Sequence, residues 1–377
     1  MVKNLDRWLY AWLLRRRTRA PLKRHVFIAV CDHYEPFHAG SKSLAMGRVQ
    51  RWQRDFRKLT EEFRDSDGVA PRHTFFYPIE QWDEDVCGRI GDLCHATGAE
   101  FEIHLHHDND TAENLARTLE EGKRRIAEMG LLARDPDGRL AYGFIHGNWA
   151  LDDSHPEGRA CGVPDELAVL RRTGCYGDFT LPSAPSRCQV PTINAIYYAR
   201  EDGKPGSHAR GHRARAGAVR AERPDELLLV CGPLGLNWRW RKWGVLPRIE
   251  NADLTLANPP TAARLRMWER CHVHVAGRPG WVFIKLHTHG ATEANSNMLL
   301  EEPMRAFHRH LRDRAARDPN FLYHYVSARE MVNLAHAAEA GEKDDPHSYR
   351  DFRYRRNARS ANDALPPGLP FDFSPQP

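Results

Sequence analysis

The chain reads as a parallel α/β protein, and two observations carry that reading. Apolar strands alternate with amphipathic helices at intervals of roughly 30–40 residues. Three of the strands also end in clusters of histidine and acid: Asp32-His33-Tyr34-Glu35, His104-Leu105-His106-His107-Asp108-Asn109-Asp110 and His287-Thr288-His289. Strand ends that each deliver such side chains point to one shared site on the C-terminal face of a β/α barrel.

The elements follow in order. His25–Asp32 is a strand whose run Val26, Phe27, Ile28, Ala29, Val30 suits burial on both faces. Ser41 to Phe63 is a helix, with Trp52, Phe56, Leu59 and Phe63 at helical spacing. Arg72–Ile79 is a second strand, ending in Glu80-Gln81-Trp82-Asp83, and Glu84–Thr97 a helix closed by Gly98. Ala99–His106 is the third strand. Thr111–Met129 follows as a helix with Thr111 as its N-cap. Tyr142–His146 is the fourth strand, ending Gly147-Asn148-Trp149, and Pro164–Arg172 a short helix opened by proline. Cys175–Leu181, Ile193–Ala199, Leu227–Cys231, Trp281–His287 and Phe321–Val326 are the later strands. Leu299–Arg317 and Ser327–Ala338 are the late helices.

At 377 residues and 41% hydrophobic, the chain suits one large globular domain. It divides into a basic amphipathic segment at 1–24, a domain at 25–339 with a mobile basic loop at 200–224, and a proline-rich, flexible tail at 340–377. No apolar run reaches the roughly 18 residues a membrane span needs. Arg15-Arg16-Arg17 stands where a secretory signal would have its cleavage site. The eight cysteines form no CxxC pair, so they read as reduced thiols of a cytoplasmic protein. Cys31, Cys87, Cys94, Cys231 and Cys271 lie in apolar stretches and read as core residues.

The net charge of +5 is unevenly spread. Lys3, Arg7, Arg15, Arg16, Arg17, Arg19, Lys23 and Arg24 face a single acid, Asp6, within residues 1–24. Trp8, Leu9, Trp12 and Leu13 share a helical face there. Such a helix either docks on the barrel bottom or lies on the anionic inner face of a membrane. No nucleic-acid motif accompanies the charge, so no nucleic-acid partner is expected.

His106 and Asp110, four apart across a turn, can face one point, and His104 shares a strand face with His106. A His33, His106, Asp110 set, with Asp32 as the alternative to His33, is a ligand triad for Zn²⁺, or for Mn²⁺, Ni²⁺ or Co²⁺. His104 and His107 are as readily structural. Asp178 reads as a turn or cap as readily as a functional group. Trp238, Trp240 and Trp243 form either a glycan- or lipid-facing rim or a packed loop. His308, His310 and His336 lie on polar helix stretches and need no functional role.

These residues resemble the polysaccharide deacetylases of the glycoside hydrolase/deacetylase superfamily, whose incomplete β/α barrel is usually seven-stranded. Val30-Cys31-Asp32-His33 matches the family's first motif, Asp-Asp after the first strand, with His33 in the second position. Glu102-Ile103-His104-Leu105-His106 matches the strand that ends in a metal histidine, with Asp110 where the second one stands. Phe283-Ile284-Lys285-Leu286-His287 is similar to the late motif that supplies the general acid. The middle Arg-x-Pro-Tyr motif is absent; Phe144-Ile145-His146-Gly147-Asn148-Trp149 stands in its place. The resemblance spans roughly residues 25–330 and implies metal-dependent deacetylation of a carbohydrate. It assigns Asp32 as base and His287 as acid, with His289 orienting it or binding the metal itself. His146 and Asn148 would face an oxyanion. Glu80 and Asp83 would bind substrate hydroxyls, and Trp82 and Trp149 would stack on sugar faces. The basic segment suggests a lipid-linked sugar as substrate. Two alternatives stay open: a glycoside hydrolase using Asp32 with Glu80, Asp83 or Asp178, and a glycan-binding barrel without turnover.

Overall fold

The computed structural model describes residues 4–15, 21–218 and 223–357. Lys3, Arg16, Arg17 and Arg19 of the basic segment, Arg220 of the basic loop and tail residues 358–377 lie outside the described residues. The strands are β1 (Arg24–His33), β2 (Thr74–Pro78), β3 (Glu100–Leu105), β4 (Ala133–Arg134), β5 (Leu140–His146), β6 (Cys175–Asp178) and β7 (Ile196–Arg200). They continue as β8 (Gly211–Arg213), β9 (Glu226–Val230), β10 (Gly235–Lys242), β11 (Leu246–Glu250), β12 (Trp281–Thr288), β13 (Phe321–Tyr325) and β14 (Arg355–Arg356). The helices are α1 (Leu9–Leu14), α2 (Lys42–Glu62), α3 (Glu84–Thr97), α4 (Ala112–Glu128) and α5 (Glu166–Arg172). After them come α6 (Ala262–Cys271), α7 (Glu293–Leu300), α8 (Glu302–Arg317) and α9 (Ala328–Ala340).

The protein is a mixed α/β fold around one mostly parallel sheet. The path β12-β1-β2-β3-β5-β6-β9 is parallel throughout, and β13 pairs with the first half of β1. The expected barrel does not close by hydrogen bonds among the described residues. The reason lies at the edge: β9 spends its free side on antiparallel β7, which in turn pairs with β8. The two ends of the path still approach each other. A Cβ on Gly232, just after β9, would lie 2.5 Å from the carbonyl oxygen of Lys285 in β12.

Side chains alternate along β1. Val26, Ile28 and Val30 meet the helix layer, where α2 contributes Ala45, Val49, Trp52, Phe56 and Leu59. Phe27, Ala29 and Cys31 face the inner side, which α9 covers with Ala328, Met331, Val332, Leu334 and Ala335. Local signals start and stop the helices. Thr111 accepts the Asn114 amide ahead of α4, Asp83 accepts the Asp85 and Val86 amides ahead of α3, and Gly98 closes α3 at φ 75°.

Three expectations about the extensions are corrected. Residues 200–218 are not a free loop: β8 pairs with β7, because Tyr197 and Tyr198 need strand partners for their main chain. The tail folds as far as residue 357, with Tyr349, Arg350 and Tyr354 buried and β14 paired to β4. The N-terminal helix does not sit at the bottom of the sheet. Trp8 is buried against Ala184, Ile193 and Leu234, in segments that follow the C-terminal ends of β6 and β9. No helix among the described residues is long and apolar enough to cross a membrane.

Arg329 ties the folded part of the tail to the sheet. Its guanidinium is buried and donates to Glu100 at 2.8 and 3.0 Å and to the Tyr354 carbonyl at 2.7 Å. Deleting one partner of a buried pair leaves the other uncompensated, so Arg329→Ala is expected to lose about 3–5 kcal/mol of stability. Urea unfolding checks this, and a loss below about 1 kcal/mol would show that the clamp is superficial.

Candidate metal centre

Strand register brings three histidines together. Cys31 pairs with His287, His33 with Phe76, and His104 with Ile145. Paired residues point to the same side of a sheet, so His33, His104 and His287 all emerge on the inner side. Glu35 and His106 each lie two residues further along and stay with them. One nitrogen each of His33 and His104 and one oxygen of Glu35 lie within 4.8 Å of one another. Around His33, ring centroids stand 4.8 Å away for His104 and for His289, and 6.2 Å away for His287. Trp149 covers this group, 4.8 Å from His33 and 5.4 Å from His287. It sits at φ 65°, a left-handed backbone that a bulky residue adopts only when its surroundings hold it there.

The protonation pattern suits a cation. Burial, reinforced by the neighbouring His104, His289 and His287, holds His33 well below the ordinary histidine range, and burial lowers His104 too. Both are neutral imidazoles near pH 7. Neither ring nitrogen of His33 has a hydrogen-bond partner. His104 Nδ1 faces the Ile145 carbonyl at 3.0 Å and must carry the proton, so Nε2 turns its lone pair to Glu35 Oε1 at 3.3 Å. Burial works to raise the Glu35 carboxyl, but the imidazoles around it, His104, His289 and His106, outweigh burial and lower its pKa, so Glu35 stays ionised. Two neutral imidazoles and one carboxylate are the donors that a divalent transition metal binds.

The mouth of the group is more exposed. His106 Nδ1 bonds Glu80 Oε1 at 2.7 Å, and its Nε2 lies 3.6 Å from Glu35. Burial disfavours a charged His106, yet the Glu80 bond prevails and its pKa is raised. Gly147 permits the packing, since a Cβ there would lie 2.3 Å from the His106 ring. On the other side, His287 Nε2 stands 3.9 Å from Asp253 Oδ1, and burial keeps His287 neutral.

The grouping expected from the sequence is corrected by strand parity. Asp32 is next to His33 and so points the opposite way, into the helix layer. There it is fully buried and accepts from His73 Nε2 at 2.9 Å and the Gly290 amide at 2.6 Å. His146 pairs in register with Leu105 and likewise faces the helix layer. Asp110 turns to His107 at 3.2 Å and to Asn114 at 2.6 Å, away from His33. Asp83 caps α3 and pairs with Lys42 at 3.0 Å. Trp82 packs on Tyr77 and Phe101 and donates to Glu84 at 2.8 Å. Asn148 is exposed and donates its amide to His146 Nδ1 at 3.2 Å. Of the expected residues, His33, His106, Glu80, Trp149, His287 and His289 do share this space. The sequence assigns no role to Glu35 and leaves His104 open between site and structure. The repeated His-x-Glu and His-x-His spacing was the available signal.

His146 belongs to a second group, on the opposite face. His107, His146, Cys161 and Glu166 offer ligand atoms within 4.8 Å of one another. Here the imidazoles stand beside carboxylates. His146 Nδ1 accepts an amide, which leaves the proton on Nε2, 3.9 Å from Glu166. His107, its pKa raised despite burial, lies 3.2 Å from both Glu166 and Asp110. Despite burial, the His146 and His107 partners hold Glu166 down at about 2. This group is an ion network that fixes the start of α5 on the strand ends.

No family model and no curated protein matches this chain.

Beneath His104, Glu102 accepts from Tyr176 Oη and the Gly143 amide, each at 2.6 Å. Two neutral donors do not offset burial, which pushes its pKa up to about 8. The folded state therefore binds a proton that the unfolded chain releases earlier. Its stabilising effect is full below the unfolded pKa and declines as pH rises from about 5 to about 8. Glu102→Gln is expected to flatten that decline, by on the order of a few kcal/mol. Denaturant unfolding across this pH range tests it; an unchanged slope would mean that Glu102 is ionised in the fold.

Proposed function

We propose that this chain is a metal-dependent hydrolase built on an incomplete β/α barrel, with carbohydrate deacetylation as its reaction. One observation carries the metal: the His104 lone pair and the ionised Glu35 face each other at 3.3 Å beside a buried His33 whose nitrogens are both unpartnered. His33, Glu35 and His104 would hold the ion. Bound there, a divalent ion would polarise a carbonyl oxygen and acidify a water.

The chain's own residues supply the rest of the reading. His106, whose pKa the Glu80 bond raises, is the proton donor to the leaving group. Neutral His287 beside Asp253 is the group that takes a proton from water. Asp32 is not the base, because both of its oxygens are bonded in the helix layer. The carbohydrate assignment rests on the motif resemblance and on the partly exposed Trp149, whose indole suits the C–H face of a sugar.

The test is hydrolysis of acetylated oligosaccharides together with metal analysis. Wild type is expected to release acetate, to lose activity on chelation and to recover with Zn²⁺ or Co²⁺. His33→Ala and His104→Ala are expected to lose the ion, and Glu80→Gln to lose roughly 10- to 100-fold in activity. Turnover that persists in chelator would sink the reading in favour of a carboxylate glycosidase.

A further inference from the structure

The antiparallel hairpin β10–β11 is unlike the rest of the surface. Trp238 and Trp243 are 54% and 75% exposed and Val245 is 66% exposed, with Trp240 and Leu246 beside them. Arg239, Arg241, Lys242 and Arg248 alternate with these side chains and are all exposed. None of the four makes an ion pair with a carboxylate among the described residues. Instead Lys242 lies 4.3 Å from the Trp243 ring and Arg248 4.3 Å from the Trp240 ring. The only acid of the hairpin, Glu250, is turned inward on Arg264 at 2.7 Å.

The hairpin does not stand alone. A Cβ on Gly235 would lie 3.1 Å from Trp12 Nε1, so α1 packs at its base. On α1, Tyr10, Leu13 and Leu14 are exposed, while Trp8 anchors the helix in the protein. Exposed indoles, aliphatic side chains and unpaired cations thus form one surface. Indoles favour the headgroup region of a bilayer, and cations beside them favour anionic lipid. We propose that β10–β11 and α1 together dock on an anionic membrane surface.

This surface adjoins the metal centre. Three residues after the hairpin comes Asp253, the carboxylate beside His287. Asn251 bonds the Ala184 carbonyl at 2.8 Å, and Ala184 packs on Trp8. Docking would therefore turn the C-terminal strand ends toward the bilayer, where a lipid-linked sugar would be the substrate; that last step rests on the hydrolase reading, whereas docking does not.

The full chain should co-sediment with vesicles of phosphatidylglycerol and far less with vesicles of phosphatidylcholine alone. Raising the salt should weaken binding without abolishing it. A Trp238→Ser, Trp243→Ser double variant, both at exposed positions, should keep its Tm and bind at least about tenfold more weakly. Arg241→Glu with Lys242→Glu should remove the preference for anionic lipid. Undiminished binding of the indole variant, or no binding to anionic vesicles at low salt, would overturn the proposal. Capture of the chain on a soluble acidic polysaccharide with no vesicle binding would overturn it equally. Vesicle binding is measured without turnover, so an inactive chain that docks would fault only the hydrolase reading.

Discussion

The two-residue alternation of side chains along parallel strands governs where every ionisable group at the strand ends goes. His33 and Asp32 are covalent neighbours, yet one enters the inner group and the other is sealed beneath the helices. The same rule sends His104 and His106 inward and leaves His107 with Asp110 and Glu166. A slip of one residue in β1 or β3 would exchange the two sets. The site is thus a consequence of register, and register is held by the apolar residues that alternate with it, such as Ile28, Val30, Ile103 and Leu105.

Burial then decides protonation. On the inner side it strips the charge from His33 and His104, while Glu35 keeps its charge among the surrounding imidazoles. On the outer side, acids on two sides of His107 hold its proton in place. Similar residue types therefore have opposite uses: one group presents lone pairs, and the other holds protons. Trp149 belongs to this balance, because its indole packs on one flank of His33.

The rest of the fold supports the strand ends from both sides. α9 fills the inner side of the sheet beneath the polar group. Arg329 fastens the C-terminal segment behind β3 through Glu100. Above, α1 and the β10–β11 hairpin gather at the same end as the histidines. An aromatic and basic surface thus stands at the same end as the buried polar group.

Much of this was legible in the amino-acid order. The strand–helix alternation, the Thr111 cap, the Gly98 stop and the three polar strand ends all follow from local chemistry within a few residues. The partners of those strand ends did not. Whether Asp32 or Glu35 joins His33 depends on the pleat, and the choice between Asp110 and His104 depends on where a turn leaves the strand. The antiparallel β7 that leaves the sheet open, and the anchoring of Trp8 on Ala184 and Leu234, join residues distant in sequence. Local propensity carries no information about such contacts. The sequence by itself determined which side chains stand at the strand ends; tertiary structure decided which of them meet, because register and burial are properties of neighbouring strands and not of any one segment.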